Sequence, residues 1–272
     1  MTPGRFVLLL DILGFKEMLR VQSAEQVCSV VEDVLTECDN WTERDHNDFD
    51  TIHFSDTILL YARKEGTYRE WYDDLVFIGS RICNRLLAQG IPVRGAMSFG
   101  NFLTKMSGRH LVFLGQALVD AYVGQERMPF LGFSVPPQIW LGMYPKPGAE
   151  RYLTEAGHGV LLPNDSFWIN PLTEFIDMNK GRAEGKIEHD FDYPHESSSG
   201  YLEGELRAFK FINDEAKRIR DLTDVPESVL AKYTNTLTYL RTTLGDDLYQ
   251  LAIALSAKLP AADPPSNPED QA

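Results

Sequence analysis

Two short apolar runs each carry one acid, and that pairing constrains this chain more than any other feature. The first run is Phe6-Val-Leu-Leu-Leu-Asp11-Ile-Leu-Gly14-Phe15, and the second is Thr51-Ile-His-Phe-Ser55-Asp56-Thr-Ile-Leu-Leu-Tyr61. Both read as β-strands, and packing alone gives no reason for an acid in either. A carboxylate in an apolar strand costs several kcal/mol, roughly, unless it is neutralised, paired or bound to a cation. If the strands lie side by side, Asp11 and Asp56 meet. Two adjacent carboxylates repel unless a positive charge sits between them, and an all-oxygen site suits Mg²⁺ or Mn²⁺. Gly14 allows a sharp turn after the first acid. A helix starting there would point free N–H groups at the same place, which suits phosphate. The competing reading is a pair of strand-end acids that cap turns.

Around this pair the pattern predicts alternating strands and helices. Residues 5–11 form a first strand, and apolar positions at three- and four-residue spacing predict a helix over 17–39. A polar loop over 40–50 leads to a second strand at 51–62. After a turn with Gly66, a helix over 70–89 ends at Gly90. A third strand covers 92–102, followed by a loop with Lys105, Ser107 and Gly108, a short strand at 110–113, and a helix from Gly115 to about Glu126. This order predicts an α+β chain with a ferredoxin-like, split βαβ core.

After residue 128 prolines punctuate the chain, and short strands are expected at Phe130–Val135 and Ser166–Asn170. The charged, Gly/Ser-rich stretch 179–204 reads as a mobile loop. Residues 201–221 and 226–258 read as helices. The expected division is a core over 1–128, an irregular β/loop and helical extension packed on it over 129–258, and a disordered tail over 259–272.

Composition narrows the function classes. With 43% hydrophobic residues the 272-residue chain can bury a full core. No apolar run of about 18 residues occurs, so no membrane-spanning helix is expected. The apolar start lacks a basic lead-in and is interrupted by Asp11, unlike a secretory signal. Cys28, Cys38 and Cys83 are odd in number and lack metal-ligand spacing, which suggests reduced thiols and a cytoplasmic setting. The formal net charge of −14 argues against broad nucleic-acid binding, and an anionic substrate would need local positive charge or metal.

The acid-bearing strands, with Val93-Arg94-Gly95-Ala-Met-Ser-Phe-Gly100 and Phe113-Leu-Gly115-Gln-Ala-Leu-Val-Asp-Ala-Tyr122, resemble the class III nucleotidyl cyclases. Within that group they look most like the pyrimidine cyclases of Pycsar anti-phage systems. The likeness covers residues 5–126. It implies a cyclase converting UTP or CTP to the 3′,5′-cyclic monophosphate and pyrophosphate. The product would be a second messenger in phage defence that activates a separate effector. It implies two Mg²⁺ or Mn²⁺ ions held by Asp11, Asp56 and the backbone carbonyl of Ile12. Amides of the turn Leu13-Gly14-Phe15 would meet the phosphates, and Arg94 would bind the triphosphate. The family's sites form between two head-to-tail subunits, which implies a homodimer.

The departures from the family pattern point to base specificity. Purine-specific members carry a base-reading lysine where this chain has Ile52. Their second reader, an acid, aligns with Val112, and two polar helix residues align with Val119 and Val123. A one-residue shift of helix register would bring Asp120 and Tyr122 to those places. Apolar residues there fit a smaller pyrimidine nucleotide. The alternatives are a non-catalytic nucleotide sensor on a cyclase-like fold and a purine cyclase. Strand alternation is expected to place His53 on the face away from Asp56. The remaining histidines show no ligand spacing, and Ser55 has no paired base.

Overall fold

The computed structural model describes residues 4–42, 49–65, 69–143, 159–162, 164–172, 196–223 and 225–259. Strand β1 (Arg5–Ile12) leads through α1 (Phe15–Val21) and α2 (Ala24–Thr42) to the hairpin β2 (Phe49–Phe54) and β3 (Thr57–Ala62). Helix α3 (Arg69–Ala88) and strand β4 (Val93–Gly100) complete the unit. In space the order is β2-β3-β1-β4, and every neighbouring pair is antiparallel. This is the split βαβ arrangement expected from the sequence, in an α+β chain.

Alternation along β1 builds two layers. Phe6, Leu8, Leu10 and Ile12 face one core with α2 and α3. Val7 and Leu9 face a second, smaller core that includes Ala117 and Ala121 of α4 (Gln116–Glu126). The period of two puts Asp11 on the α4 face with Val7 and Leu9. Helix α4 sits close to the sheet because Gly124 faces Ala96, where a Cβ would come to 2.7 Å.

The sheet then continues beyond β4. Strand β7 (Gly132–Val135) pairs in parallel with β4, and β9 (Phe167–Ile169) and β8 (Gly159–Leu161) extend it to seven strands. The short strands expected after residue 128 are therefore present, and they lengthen the same sheet. A separate hairpin, β5 (Leu103–Ser107) and β6 (His110–Leu114), precedes α4, and α5 (Pro137–Met143) follows β7. Two long helices, α6 (Glu196–Arg220) and α7 (Glu227–Ser256), form their own apolar cluster, with Leu87 and Ala88 of α3 and with Leu131. Helix α7 is broken at Gly245, whose φ of 76° and ψ of 164° leave the helical region.

Several boundaries differ from the sequence expectation for identifiable reasons. The expected strand over 51–62 is two strands joined at Ser55-Asp56, and Ser55 takes a left-handed φ of 54°. The expected helix over 17–39 is split, because Ser23 caps α2. The Gln26 amide donates to Ser23 Oγ at 3.2 Å, and the Ser23 amide donates to Gln26 Oε1 at 2.9 Å. The expected loop at 40–50 is shorter, with α2 reaching Thr42 and β2 starting at Phe49. The loop around Lys105 is strand β5. Residues 196–204 of the expected mobile loop are the start of α6, while 179–195 and the tail from 260 lie outside the described residues.

Candidate active site

One row of residues crosses four strands at the end of β1. Thr57 of β3 stands opposite Asp11 of β1, Asp11 stands opposite Arg94 of β4, and Arg94 stands opposite Gly132 of β7. Residues directly opposite in paired strands share a face, so Asp11 and Arg94 both lie on the α4 side. Arg94 Nε donates to Asp11 Oδ2 at 2.9 Å, and both side chains are about four-fifths buried. Arg94 Nη1 also donates to the Glu126 carbonyl at 3.4 Å, at the C-terminus of α4.

Asp56 arrives from the turn of the β2–β3 hairpin rather than from mid-strand. Its carbonyl accepts the Ile12 amide at 2.7 Å, which fixes the turn against the end of β1. The two acids are therefore neighbours, as the sequence predicts, although a tight turn and not strand alternation delivers the second. Burial pushes the Asp11 carboxyl above the usual range. The Arg94 hydrogen bond and charge pull it back, and the charges of Asp56 and Glu126 push it up further. The turn revises the argument about His53. Its face in β2 no longer sets its relation to Asp56, and His53 Nε2 sits 3.0 Å from the Ser55 carbonyl.

Gly14 takes a φ of 70°, and the amides of Glu17 and Met18 bond back to its carbonyl. Among the described residues no carbonyl takes the amides of Gly14, Phe15 or Lys16, so the turn does present free donors. The helix behind them is only seven residues long, so the donors matter more than any helix dipole. The Leu13 amide, expected among them, is not free, because it donates to the Pro92 carbonyl at 2.8 Å, and the Leu13 side chain packs against the α6–α7 cluster.

The four positions aligned with purine readers are apolar in place, but they are not equivalent. Ile52 is half-buried beside the smaller core, opposite Leu59 and in line with Leu9. Val112, Val119 and Val123 are exposed, with Val119 53% accessible. On the β5–β6 hairpin Leu103 and Leu114 are exposed on the face that carries Val112, and Met106 and Leu111 are exposed on the opposite face with Phe113. Phe54 and Phe113, with ring centroids 5.8 Å apart, join the end of β2 to the hairpin. Asp120 turns outward and accepts from Gln116 Nε2 at 2.8 Å. Tyr122 is hydrogen-bonded to the Glu126 carboxylate, which pushes its pKa up, and the charges of Asp11 and Arg94 also act on it. Of the two polar helix candidates, Tyr122 is thus the one at the edge of the site.

Two charged residues at the site escaped the sequence reading. Glu126 closes α4 beside Arg94, and its position at the end of a helix ending near β4 was its only signal. Lys232 lies on α7, more than a hundred residues downstream, and nothing in the local sequence marks it.

The donor set suits a hard divalent cation. Asp11 and Asp56 are neighbouring carboxylates that repel each other, and Mg²⁺ characteristically uses one or two carboxylates with the remaining places filled by water and substrate phosphate. Among the described residues no group of three or more His, Cys, Asp or Glu side chains could hold a metal without such help. No helix of the described residues is long and apolar enough to cross a membrane.

No family model matches the chain, and no curated protein matches it. Among solved structures it is similar to the guanylate cyclase domain of RhGC from Catenaria anguillulae in complex with GTP, at 14% identity and a TM-score of 0.45. That likeness covers 61% of this chain and 96% of that one. It is similar to a dimeric guanylyl cyclase domain of the RhoGC fusion protein from Blastocladiella emersonii, at 13% identity and a TM-score of 0.44, covering 61% and 93%. It is also similar to a bacterial light-regulated adenylyl cyclase, at 13% identity and a TM-score of 0.39, covering 52% and 79%.

Proposed function

We propose that the chain is a nucleotidyl cyclase that acts on a pyrimidine triphosphate, UTP in preference to CTP, and releases the 3′,5′-cyclic monophosphate and pyrophosphate. The observation that carries the reading is the meeting of Asp11 and Asp56 at one end of the sheet with Arg94 directly across from Asp11. The two carboxylates, with the Ile12 carbonyl, would hold Mg²⁺ or Mn²⁺, which would polarise the ribose 3′-hydroxyl and neutralise the triphosphate.

The chain's own groups define the rest. The 3′-oxygen forms a bond to the α-phosphorus as the bond to the pyrophosphate oxygen breaks, and the hydroxyl proton leaves to solvent. Charge develops on the departing pyrophosphate, where a preorganised guanidinium is most useful. With Asp11 engaged by such an ion, the Arg94 fork would be free for phosphate oxygens. The unpaired amides of Gly14, Phe15 and Lys16 are further donors. Apolar residues at Ile52, Val112, Val119 and Val123 support a base pocket without a charged purine reader.

Three of those positions are open to solvent in one copy, so a base pocket walled by them needs a second copy to close it. A homodimer that covers the face of β5, β6 and α4 supplies that closure. By the same reading the cyclic product serves as a second messenger in phage defence, sensed by a separate effector. The test is incubation with UTP, CTP, ATP and GTP in Mn²⁺, with products identified by mass spectrometry. Cyclic UMP or cyclic CMP is expected. Absence of any cyclic product, with triphosphate still bound, would instead make the chain a non-catalytic nucleotide sensor.

A further inference from the structure

Lys232 is a buried cation with no acid of its own. Its residue is only 7% exposed, and its ammonium donates to the Ser228 carbonyl one turn back in α7 at 3.0 Å. Among the described residues no carboxylate lies within ion-pair distance of it. Burying an ammonium against a single carbonyl is unfavourable, and such a group ordinarily finds an anion or loses its proton.

The place of Lys232 in the fold indicates which anion. Thr236 lies one turn along the same helix face, and its hydroxyl donates to the Lys232 carbonyl at 2.8 Å. The same hydroxyl oxygen accepts the Leu131 amide at 3.1 Å. Leu131 precedes Gly132, which stands opposite Arg94 in the sheet. Asn235 Nδ2 donates to the Pro129 carbonyl at 3.0 Å and fixes the same stretch of chain. Leu13, two residues after Asp11, packs into the α6–α7 cluster. Helix α7 is thus bonded to the segment beside Arg94 and packed against the turn after Asp11. The charges that act on Lys232 are those of Arg94 and Asp11.

We propose that Lys232 is a phosphate-binding residue of this site, and that its ammonium leaves the Ser228 carbonyl for phosphate oxygens of a bound triphosphate. The proposal rests on the cyclase reading and assigns α7 a role in it: the C-terminal helices form a wall of the site. Lysine suits the task as a compact charge on a flexible stem that can move between two acceptors. Burial and the Arg94 charge lower its pKa, so its proton is held less firmly until an anion arrives.

The experiment measures binding of inorganic tripolyphosphate to the whole chain in Mn²⁺ by calorimetry, alongside the melting temperature. Lys232→Met keeps length and apolar stem without charge, and Lys232→Gln keeps a donor for Ser228. Both should bind tripolyphosphate at least roughly tenfold more weakly, a loss within the range of one charge-assisted hydrogen bond. Their melting temperatures should match or exceed wild type, because an unpaired buried charge is gone. Folded variants that bind tripolyphosphate as tightly as wild type overturn the role of Lys232. If the wild type turns over a nucleotide in that case, the cyclase reading stands without it. A wild type that neither binds tripolyphosphate nor turns over any nucleotide removes the reading and the inference together.

Discussion

Asp11 and Arg94 face each other across neighbouring antiparallel strands and share a 2.9 Å ion pair on the α4 side of the sheet. The pair holds the carboxylate and the guanidinium at one point. It also makes each residue a structural partner of the other, so a functional test must separate the two roles. Arg94→Ala should lower turnover by roughly 10²-fold or more through loss of preorganised charge at the leaving pyrophosphate. Arg94→Lys should keep the pairing charge yet restore activity only in part, because a point charge cannot reproduce the fork. If Arg94→Ala alters melting temperature alone, with kcat/KM intact, the residue serves the fold and not the reaction.

Removal of either acid should abolish cyclisation, but the two variants should differ in stability. Asp56 sits at a hairpin turn, and Asp56→Asn keeps the backbone carbonyl that accepts the Ile12 amide. Asp11→Ala leaves the Arg94 guanidinium, about four-fifths buried, without its carboxylate, so a cost in stability is expected there. Asp11→Asn retains an acceptor and is the better probe. Both asparagine variants should lose more than roughly 10²-fold in activity at saturating Mn²⁺. Wild-type turnover in either one would sink the assignment of that acid as a metal ligand.

The sequence made the core legible because its alternation was strong. Val7, Leu9 and Asp11 on one face, and Phe6, Leu8 and Leu10 on the other, follow directly from period two. The order of strands and helices then left few ways to pair them. The hairpin at Ser55-Asp56 was hidden because it has neither glycine nor proline, and apolar residues flank it on both sides. Serine and aspartate are turn formers, and that was the signal available. The capping pair Ser23 and Gln26 was a readable motif that splits an otherwise continuous helical pattern. Lys232 could not be found this way. Its nearness to Arg94 is made by tertiary contacts of α7 with residues 129–131, which no local pattern encodes.

Gly115 and Gly14 should respond differently to alanine. Gly115 has a φ of 152°, and a Cβ there would lie 2.2 Å from the Asn101 carbonyl oxygen. Gly115→Ala must shift the backbone that starts α4, with an expected loss of at least about 2 kcal/mol. Gly14 has a φ of 70° with open space around the added carbon, so Gly14→Ala should lose only about 1 kcal/mol of stability. Its larger effect should fall on phosphate affinity, because the turn that presents the amides is strained. Thermal melts of the two variants, compared with tripolyphosphate binding, separate these outcomes.

The exposed face of β5, β6 and α4 should be the contact between two copies. Leu103 is 49% accessible and Leu114 53%, paired across the hairpin on the face of Val112, and exposed apolar residues clustered in this way are unusual on a protein that stays alone. Leu103→Asp with Leu114→Asp should give a monomer by light scattering, with unchanged circular dichroism and little turnover. A wild-type protein that stays monomeric at high concentration with triphosphate, yet cyclises it, would refute a site closed by a second copy.

Base choice is the most demanding test. Ile52 is half-buried and in line with Leu9, so it forms part of the floor of the α4 side and cannot donate to a base. Val119 and Val123 lie on the open side of α4, and Val112 lies on β6. ATP and GTP should therefore be poor substrates even at high concentration. An apolar wall by itself discriminates by only about 1–3 kcal/mol per misplaced methylene-sized group, whereas a site built to hydrogen-bond its substrate rejects others far more strongly. At least one polar group should read the pyrimidine edge. Tyr122 is the better placed of the two helix candidates, since Asp120 is tied to Gln116 on the outer side of α4. Tyr122→Phe should narrow the preference for UTP over the other triphosphates by roughly tenfold, with a smaller change in overall rate. The measurement is competition among UTP, CTP, ATP and GTP at equal concentration, with cyclic products counted for wild type and variant. Predominantly cyclic AMP or cyclic GMP from the wild type would overturn the pyrimidine assignment and leave the cyclase chemistry standing, and an unchanged product ratio in Tyr122→Phe would move the base reader elsewhere.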